Sequence, residues 1–517
     1  MELVKKNIHM DYTKAVATEQ FVLEEDVNLP DVKPDIDYIC LERGNVIIDE
    51  VKAYADSATI RGRLVFHVLY HTDEEGCNLA SLEGKIPFEE KVYLEGIQSS
   101  EAIEADAVVE DISISIINSR KLGLQTVINL TVKAEDIFDW EIPIGLQGQE
   151  KAEYRQRPMD MVQMAVCKKD SYGIREEITL PASYPNIFRI LWSNTIMDDV
   201  EIRTLDGRIF LQGDMQLFVI YETEDGIIRN FETAFPFSGN VECYGCKEGM
   251  IPYVTYQMGQ PELTIRPDHD GEERILSLEA LLDLKIKIYE EMKVDLVTDI
   301  YGVHNEIETM EKETVLRKLL TKTTGKQKIT EHIHPGNKMG SIMQILHSEG
   351  QVIADKQKME ENKVVLTGTI SLQILYVNAD DSKPYNVLRK NIPYRYELEV
   401  PGMKKEDIME VQSFLEQLQV SILNGEELDI KAVPVFVITI FSQKKYNLVN
   451  DVILHPLDTG KLGELPGMAI YTVKAGDTLW SIGKKYYLSV ERLKKINELT
   501  SDEVKIGQKL VISKEGI

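Results

Sequence analysis

Apolar and polar residues alternate in three separate stretches of the chain that resemble one another. The stretches are residues 62–70, 213–221 and 368–376. In each, a glycine leads, apolar residues occupy every second position, and two aliphatic residues precede a closing tyrosine. Because successive side chains of a β-strand point to opposite faces of its sheet, this alternation predicts a strand with one buried face.

Prolines flank each stretch at nearly constant distances. Pro30, Pro181 and Pro335 precede the closing tyrosine by 40, 40 and 41 positions, and an apolar–proline–aromatic triplet follows it. The triplets are Ile86-Pro87-Phe88, Phe235-Pro236-Phe237 and Ile392-Pro393-Tyr394. The leading glycines lie 151 and then 155 residues apart, which is the size of a whole domain. The spacing therefore predicts three tandem copies of one domain.

Short alternating segments separated by turn residues fill each copy. The first copy contains seven or eight such segments within roughly 120 residues, which predicts a β-sandwich or a β-barrel. Residues 1–18 are expected to be frayed, residues 35–41 to form one helical turn, and residues 139–169 to form a linker with some helical character. The segment 407–423 fits either a helix or a strand at its start and a strand at its end, from residue 418.

The predicted organisation is mainly β, with β-sandwich or barrel-like repeats at residues 1–150, 151–320 and 321–452. Residues 453–469 hold three glycines and two prolines, which predicts a linker. A small module follows at residues 470–513. There, eight Lys and Arg residues against five Asp and Glu residues give a charge of +3, in a chain whose net charge is −28.

The charge and hydropathy of the chain limit its partners and its location. A net charge of −28 opposes binding to nucleic acid or to an anionic membrane and favours a basic partner. The chain has no run of 18 apolar residues, and its first residues lack an apolar signal core. We therefore expect a cytoplasmic protein without a membrane span, and five irregularly spaced cysteines agree with reduced thiols there.

The last module shows the order strand, helix, helix, strand. Residues 471–473 predict a strand, Leu479, Ile482 and Tyr486 form the apolar stripe of a first helix, and residues 506–512 return as a strand. This order, the opening YTVKAGDTLWSIGKKY and the closing IGQKLVI together resemble the LysM family over about 44 residues. The sequence departs from the family pattern at two places, with Gly483 where alanine is usual and Tyr487 where glycine is usual.

The resemblance to LysM domains implies a shallow groove that binds glycans containing N-acetylglucosamine. In that family the groove lies between the loop before the first helix and the loop after the second, and backbone groups bind the sugar. Carried over to this sequence, the ligand- or partner-binding residues are Gly476, Asp477, Thr478, Leu479, Trp480, Asn497, Ile506, Gly507 and Gln508. Asp477 and Thr478 fit helix capping equally well, and Trp480 is expected to be partly exposed.

The three large repeats resemble a second family. The segment LPDVKPDIDYI, the strand at residues 62–70 and the triplet around Pro87 are similar to the SPOCS domain. Tandem SPOCS domains that end in one LysM module resemble the SipL-like family of spore-envelope morphogenetic proteins. This resemblance implies action in the mother cell at the forespore surface. It also implies that the LysM module binds a spore coat morphogenetic ATPase of the SpoIVA type and that the protein helps to encase the forespore in coat.

The sequence lacks familiar motifs for catalysis and metal binding. It has no G-x-x-x-x-G-K-[ST] phosphate loop, no G-x-S-x-G nucleophile elbow and no H-E-x-x-H zinc helix. Cys243 and Cys246 form a lone C-x-x-C that we expect to be two ordinary thiols, and His332 and His334 are expected to flank a turn. We therefore expect no cofactor, no bound metal and no enzymatic activity.

The sequence supports three hypotheses about function. The first is a non-enzymatic scaffold whose LysM module docks the coat ATPase while the β repeats bind other coat proteins or associate with themselves. The second is a protein that binds peptidoglycan. The third is an enzyme hidden in the repeats, which would require a pocket with convergent polar groups in one copy only.

Overall fold

Alternation of apolar and polar residues governs nearly all of the structure, a computed structural model that describes residues 1–73, 78–148, 151–334, 342–379, 383–423, 427–457 and 468–513. Strands predominate in these ranges, and the helices found there are two short ones in the last module. The predicted architecture of three β repeats followed by a small βααβ module is confirmed.

Twenty strands build the three repeats in the described ranges. Repeat one comprises β1 (Glu2–Asn28), β2 (Tyr38–Tyr54), β3 (Ser57–His71), β4 (Leu79–Tyr93), β5 (Ile103–Asn118) and β6 (Lys121–Gln147). Repeat two comprises β7 (Ala152–Thr179), β8 (Arg189–Leu205), β9 (Arg208–Glu222), β10 (Ile228–Glu242), β11 (Ile251–Met258), β12 (Glu262–Pro267) and β13 (Glu273–Gly302). Repeat three comprises β14 (Asn305–Lys326), β15 (Ile329–Ile333), β16 (Ile342–Glu360), β17 (Lys363–Asn378), β18 (Tyr385–Glu399), β19 (Ile408–Ile422) and β20 (Leu428–Pro456).

Each repeat folds into two antiparallel sheets that share one core. In repeat one the sheets have the orders β2-β3-β4 and β1-β6-β5. Repeats two and three repeat this arrangement, with β8-β9-β10 and β16-β17-β18 as first sheets, and with second sheets centred on β13 and β20. Leu64 and Tyr70 of β3 pack with Leu130 and Val132 of β6 in the core of repeat one. The predicted signature strands are therefore the central strands of three sheets.

The leading glycine of each signature strand lies beneath the aromatic residue of the proline triplet. Phe88, Phe237 and Tyr394 pair in register with Gly62, Gly213 and Gly368 on the neighbouring strand. A Cβ at Gly62 would lie 2.7 Å from the ring of Phe88 and 2.6 Å from the carbonyl oxygen of Ile47. The two most regular features of the sequence repeat are thus one packing unit.

The three repeats meet around an approximate threefold axis. Position 67 and its equivalents, Phe218 and Gln373, lie three residues before the closing tyrosine. The ring of His67 stacks on Trp192 with centroids 4.4 Å apart, the ring of Phe218 stacks on His347 at 3.9 Å, and Gln373 donates a hydrogen bond of 3.4 Å to the carbonyl of Glu42. Repeat one therefore contacts repeat two, two contacts three, and three returns to one, so the repeats form a closed ring.

Polar side chains from equivalent positions join on this axis. Arg43, Asn194 and Glu349 each lie 27 residues before the closing tyrosine of their repeat. Glu349 accepts hydrogen bonds of 2.6 Å from both Arg43 and Asn194. We call these three residues the axial triad. Beside it lies an apolar cluster that includes Leu41, Trp192 and Leu375, one residue from each repeat.

The outer halves of the longest strands leave the sandwiches and pack together. They belong to three two-stranded antiparallel ribbons, β1 with β6, β7 with β13, and β14 with β20. Their shared core contains Ile8, Ile142, Met161, Leu296 and Leu448, and we call this part of the molecule the ribbon bundle. The expectations of a frayed segment at residues 1–18 and of a partly helical linker at 139–169 are therefore wrong, because residues 2–18, 139–147 and 152–169 belong to paired strands.

A largely buried ion cluster ties the three ribbons together. Asp11 of β1 accepts hydrogen bonds from Arg317 of β14 at 2.7 Å and from Tyr289 of β13 at 2.9 Å. Lys287 of β13 lies 3.3 Å from Asp11 and 2.5 Å from Glu135 of β6. Burial alone would raise the pKa of Asp11, but Lys287 and Arg317 outweigh it and hold that pKa below its usual value.

Three further expectations are corrected or resolved. Residues 35–41 do not form a helical turn, because β2 begins at Tyr38. In the loop before it, Arg120 donates to the carbonyl oxygens of Pro30 at 2.8 Å and Lys33 at 2.7 Å. The ambiguous segment 407–423 contains the strand β19, which pairs with β20 along its length. Cys243 and Cys246 are joined by a disulfide rather than being two free thiols.

Candidate ligand-binding surface of the C-terminal module

The last module consists of β21 (Met468–Thr472), α1 (Leu479–Tyr486), α2 (Val490–Ile496) and β22 (Lys509–Ser513). Thr478 begins α1 with a capping box, because its hydroxyl accepts from the Ser481 amide at 3.1 Å while its own amide donates to the Ser481 hydroxyl at 3.0 Å. Ser489 caps α2 by accepting from the amide of Arg492 at 3.2 Å. The capping role expected for Thr478 is therefore present.

The loop before α1 is fixed by its own side chains. Asp477 accepts hydrogen bonds from the Tyr471 hydroxyl at 2.7 Å and from the Lys474 amide at 2.8 Å. These bonds, the tyrosine one first, lower the pKa of Asp477 below its usual value. Gly476 is exposed and has a φ of 89°, a conformation that favours glycine. Asp477 shapes the loop, and the loop leaves Gly476 open to solvent.

The loop before β22 lies directly beside the loop before α1. The amide of Gly507 donates to the carbonyl of Val473 at 2.8 Å, and the amide of Val473 donates to the carbonyl of Gln508 at 2.9 Å. Ile506 is 74% exposed at the tip of this loop. The structure therefore places the loop that holds Gly476 and Thr478 beside the loop that holds Ile506 and Gly507, and we call the two loops the loop pair. These four residues are the exposed members of the predicted site.

Two of the predicted site residues are structural. Leu479 is buried in the module's core. The amide of Asn497 donates to the carbonyls of Leu493 and Val511, both at 2.9 Å, and accepts from the Val511 amide at 2.5 Å. The two bonds with Val511 join the end of α2 to β22, and the bond to Leu493 closes the last turn of α2.

Trp480 faces the ribbon bundle. Its indole nitrogen donates to Asp299 of β13 at 2.7 Å, and its ring meets Tyr301 edge-on at 4.8 Å between centroids. Lys484, one turn further along α1, donates to the other oxygen of Asp299 at 2.5 Å. Trp480 is partly exposed, as expected, but its contact with the body of the chain was not predicted from the sequence.

The electrostatics of this contact favour an ionised Asp299. Burial alone would raise the pKa of Asp299, but hydrogen bonds from Lys484 and Trp480 outweigh it and lower that pKa. Tyr301 adds a hydrogen bond of 2.9 Å from its hydroxyl to the carbonyl of Leu488. Sequence reasoning missed Asp299 and Tyr301 because they lie about 180 positions from the module, with no local pattern to mark them.

Comparison with known families assigns both parts of the chain. The model for the SipL, SPOCS domain matches residues 35–117, 186–265 and 341–423, and the LysM domain model matches residues 471–513. The chain has the SipL-like architecture. The protein is thus a sporulation-associated protein with three SPOCS domains and one LysM domain, and both are binding modules rather than catalytic domains.

Curated relatives match the LysM segment of this SipL-like chain. A probable N-acetylmuramidase of Lactococcus lactis subsp. lactis is 54% identical over 43 residues, which are 8% of this chain and 10% of that protein. The cell wall-binding protein YocH of Bacillus subtilis is 38% identical over 71 residues, 14% of this chain and 25% of that protein. The chain thus spans only a tenth to a quarter of these relatives' lengths. No solved structure matches it significantly.

The helices α1 and α2 are short, and no helix in the described ranges is long and apolar enough to cross a membrane.

A cavity of about 460 Å³ lies on the threefold axis and is lined by side chains from all three repeats. Glu42 in its wall is paired with Arg389 at 2.7 Å, and Arg43 is paired with Glu349. Both ion pairs therefore join repeat one to repeat three.

Proposed function

We propose that this SipL-like chain is a non-enzymatic scaffold of the spore envelope whose LysM module docks a coat-basement ATPase of the SpoIVA type. The observation that carries the proposal is the presence of three SPOCS domains and one LysM domain in one chain. In this proposal the three SPOCS units are built from β1–β6, β7–β13 and β14–β20, the tether follows Pro456, and residues 470–513 are the docking module.

The exposed surface of the module supports binding to an acidic protein. Lys474 and Lys505 flank the loop pair, and both are exposed, as is the apolar side chain of Ile506. An apolar anchor with a cationic rim fits an interface in which charge steers the encounter and the anchor supplies affinity. The ATPase would act at the forespore surface in the mother cell, which is the proposed location of this chain.

Capture of the coat ATPase from sporulating cells tests the scaffold. Ile506→Asp places a charge at the apolar tip of the loop pair, so we expect capture to fall at least about tenfold, a loss of roughly 1.4 kcal/mol. Removal of residues 470–513 should abolish capture. Val32→Asp is the matched control, because Val32 is 90% exposed on the SPOCS body. Equal capture by all four proteins would refute the docking role.

Peptidoglycan is the second candidate ligand. It is supported by the matching of the LysM segment to the probable N-acetylmuramidase, to YocH and to the probable peptidoglycan endopeptidase LytE of Bacillus subtilis. In this proposal a sugar would contact the exposed backbone of Gly476 and the neighbouring tip at Ile506 and Gly507. Titration calorimetry with an N-acetylglucosamine hexamer tests this candidate, and the absence of heat at millimolar ligand would exclude it.

A further inference from the structure

The contact between the LysM module and the ribbon bundle is a built surface. Asp299 receives two hydrogen bonds from α1, and Tyr301, which is 4% exposed, places its ring against Trp480 and its hydroxyl on the carbonyl of Leu488. Two residues of β13 thus engage three residues of the module. Trp480 and Lys484 lie one turn apart on α1, Leu488 follows the end of that helix, and Asp299 and Tyr301 occupy alternate positions of β13, so the contact depends on the geometry of both elements.

The module is shaped for this contact at Gly483. A Cβ at Gly483 would lie 2.6 Å from the hydroxyl oxygen of Tyr301 and 2.6 Å from the carbonyl oxygen of Leu488. Those same two oxygens form the hydrogen bond between the body and the module. A glycine at this position of α1 is unfavourable for the helix by about 1 kcal/mol, and here it leaves room both for the module's own Leu488 carbonyl and for the Tyr301 hydroxyl of the body.

We propose that the Asp299–Tyr301 surface of the ribbon bundle is a docking site for the chain's own LysM module, and that this docking withholds Trp480 from an external partner. The proposal deepens the proposed function and rests on it, because it concerns the regulation of the same module. The occupant is residues 468–513 of the same chain, which the structure places on this surface.

Docking of the module on its own chain and binding of the module to an external partner compete for the Trp480 side chain. The indole N–H has a single hydrogen to donate, and Asp299 accepts it. When a binding-competent state is only a fraction of the population, the apparent affinity falls by that fraction. A partner that takes the indole N–H, or the part of the ring that Tyr301 covers, must therefore first displace Asp299 and Tyr301, whereas the loop pair stays open for a first encounter.

Oxidative footprinting of Trp480 tests the docking without any ligand. Hydroxyl-radical labelling followed by mass spectrometry compares the full chain with the double variant Asp299→Asn, Lys484→Gln. We expect labelling of Trp480 to rise at least about threefold in the double variant, since the docked fraction falls. The controls are Asp295→Asn, an exposed aspartate on the same strand, and Lys485→Gln, whose ammonium lies over the Tyr471 and Tyr486 rings. Labelling at the same rate in all proteins would overturn the proposal.

A second variant guards against a change in the fold of the body. Tyr301→Phe keeps the ring and removes only the hydroxyl that bonds Leu488, so far-UV circular dichroism should be unchanged while labelling of Trp480 rises. Capture of the coat ATPase should increase by the same factor as labelling. A variant that labels faster yet captures no more ATPase overturns the competition. If neither the native chain nor the Tyr301→Phe variant captures the ATPase, the proposed function fails. The labelling of Trp480 then still shows whether the module docks on the body.

Discussion

At the scale of single residues, the repeat is explained by a glycine and an aromatic ring. Only glycine fits at the first position of each signature strand, because an aromatic ring on the adjacent strand covers it. The pairs are Gly62 with Phe88, Gly213 with Phe237, and Gly368 with Tyr394. The sequence showed both features at constant spacing, but it did not show that they touch. Their contact depends on strand register, which is set by pairing between segments and not by either segment alone.

Substitution of Gly62 by alanine tests this packing unit. The added methyl would meet the Phe88 ring and the Ile47 carbonyl at less than 3 Å, so we expect a loss of about 2 kcal/mol in unfolding free energy. Gly173→Ala is the control, since nothing lies within 4 Å of a Cβ there. Urea denaturation measures both, and equal stability of the two variants would contradict the role of the ring.

Glu349 of the axial triad makes a second prediction, on pH. Burial would raise its pKa, but Arg43 and His347 outweigh burial and lower the pKa to about 2, from an ordinary value of 4.5. A depressed folded-state pKa stabilises the protein above the unfolded pKa, and this stabilisation is lost as the pH falls through the folded value. Relative to Glu349→Gln, the native protein should therefore be more stable by about 3 kcal/mol at neutral pH, with the difference vanishing near pH 2.

Denaturant unfolding at a series of pH values checks this prediction. Glu141→Gln is the control, because Glu141 forms an exposed pair with Lys5 at 3.0 Å and its removal should cost less than about 1 kcal/mol. A stability difference for Glu349→Gln that does not change between pH 5 and pH 2 would show that the carboxylate is not ionised in the triad.

At the scale of elements, the ribbons show where reasoning from local pattern fails. Residues 1–18 are polar enough to suggest a loose terminus, yet they pair with residues more than 100 positions away. Likewise, the start of segment 407–423 fits a helix, but pairing with β20 makes it a strand. The fold class, the repeats and the module were predictable because they depend on short periodic patterns. The ribbon bundle was not, because it depends on distant partners.

The ion cluster of the ribbon bundle yields a third prediction. Asp11→Asn would leave Arg317 and Lys287 with one fewer carboxylate in a largely buried site, so we expect a loss of about 3 kcal/mol. Asp160→Asn removes an exposed pair with Lys318 on the same ribbons and should cost less than about 1 kcal/mol. Thermal unfolding compares the two, and the interpretation is wrong if both variants lose equally little.

At the scale of the whole molecule, the contacts between repeats make one body of three copies. Trp192 of repeat two is fully buried between repeat one and the axis, where it contacts His67 and Arg43. The sequence predicted three domains and did not predict how they are arranged. Nothing in the repeat marks the contact positions, because the residues at equivalent places differ in type. They are Arg43, Asn194 and Glu349 at one level of the axis.

Closure predicts that the three repeats unfold together. The fluorescence of Trp192 reports on the contact between repeats, and far-UV circular dichroism reports on all strands. If the repeats unfold together, the two signals should change at the same urea concentration. Phe218→Ala, which removes a ring stacked on His347, should lower both midpoints by the same amount. Separate transitions for the two probes would indicate repeats that are independent of one another.

The return of the third repeat to the first has a consequence for synthesis on the ribosome. Glu42 emerges early, but its ion-pair partner, Arg389, is translated almost 350 residues later. Until then, the apolar surface formed by Leu41 and Leu69 has no cover from the third repeat. At ordinary elongation rates of about 5–20 residues per second, that interval lasts roughly 20 to 70 seconds. Chaperones that cover this surface, or fast translation that shortens the interval, would keep the first repeat of such a nascent chain from associating with the wrong neighbour.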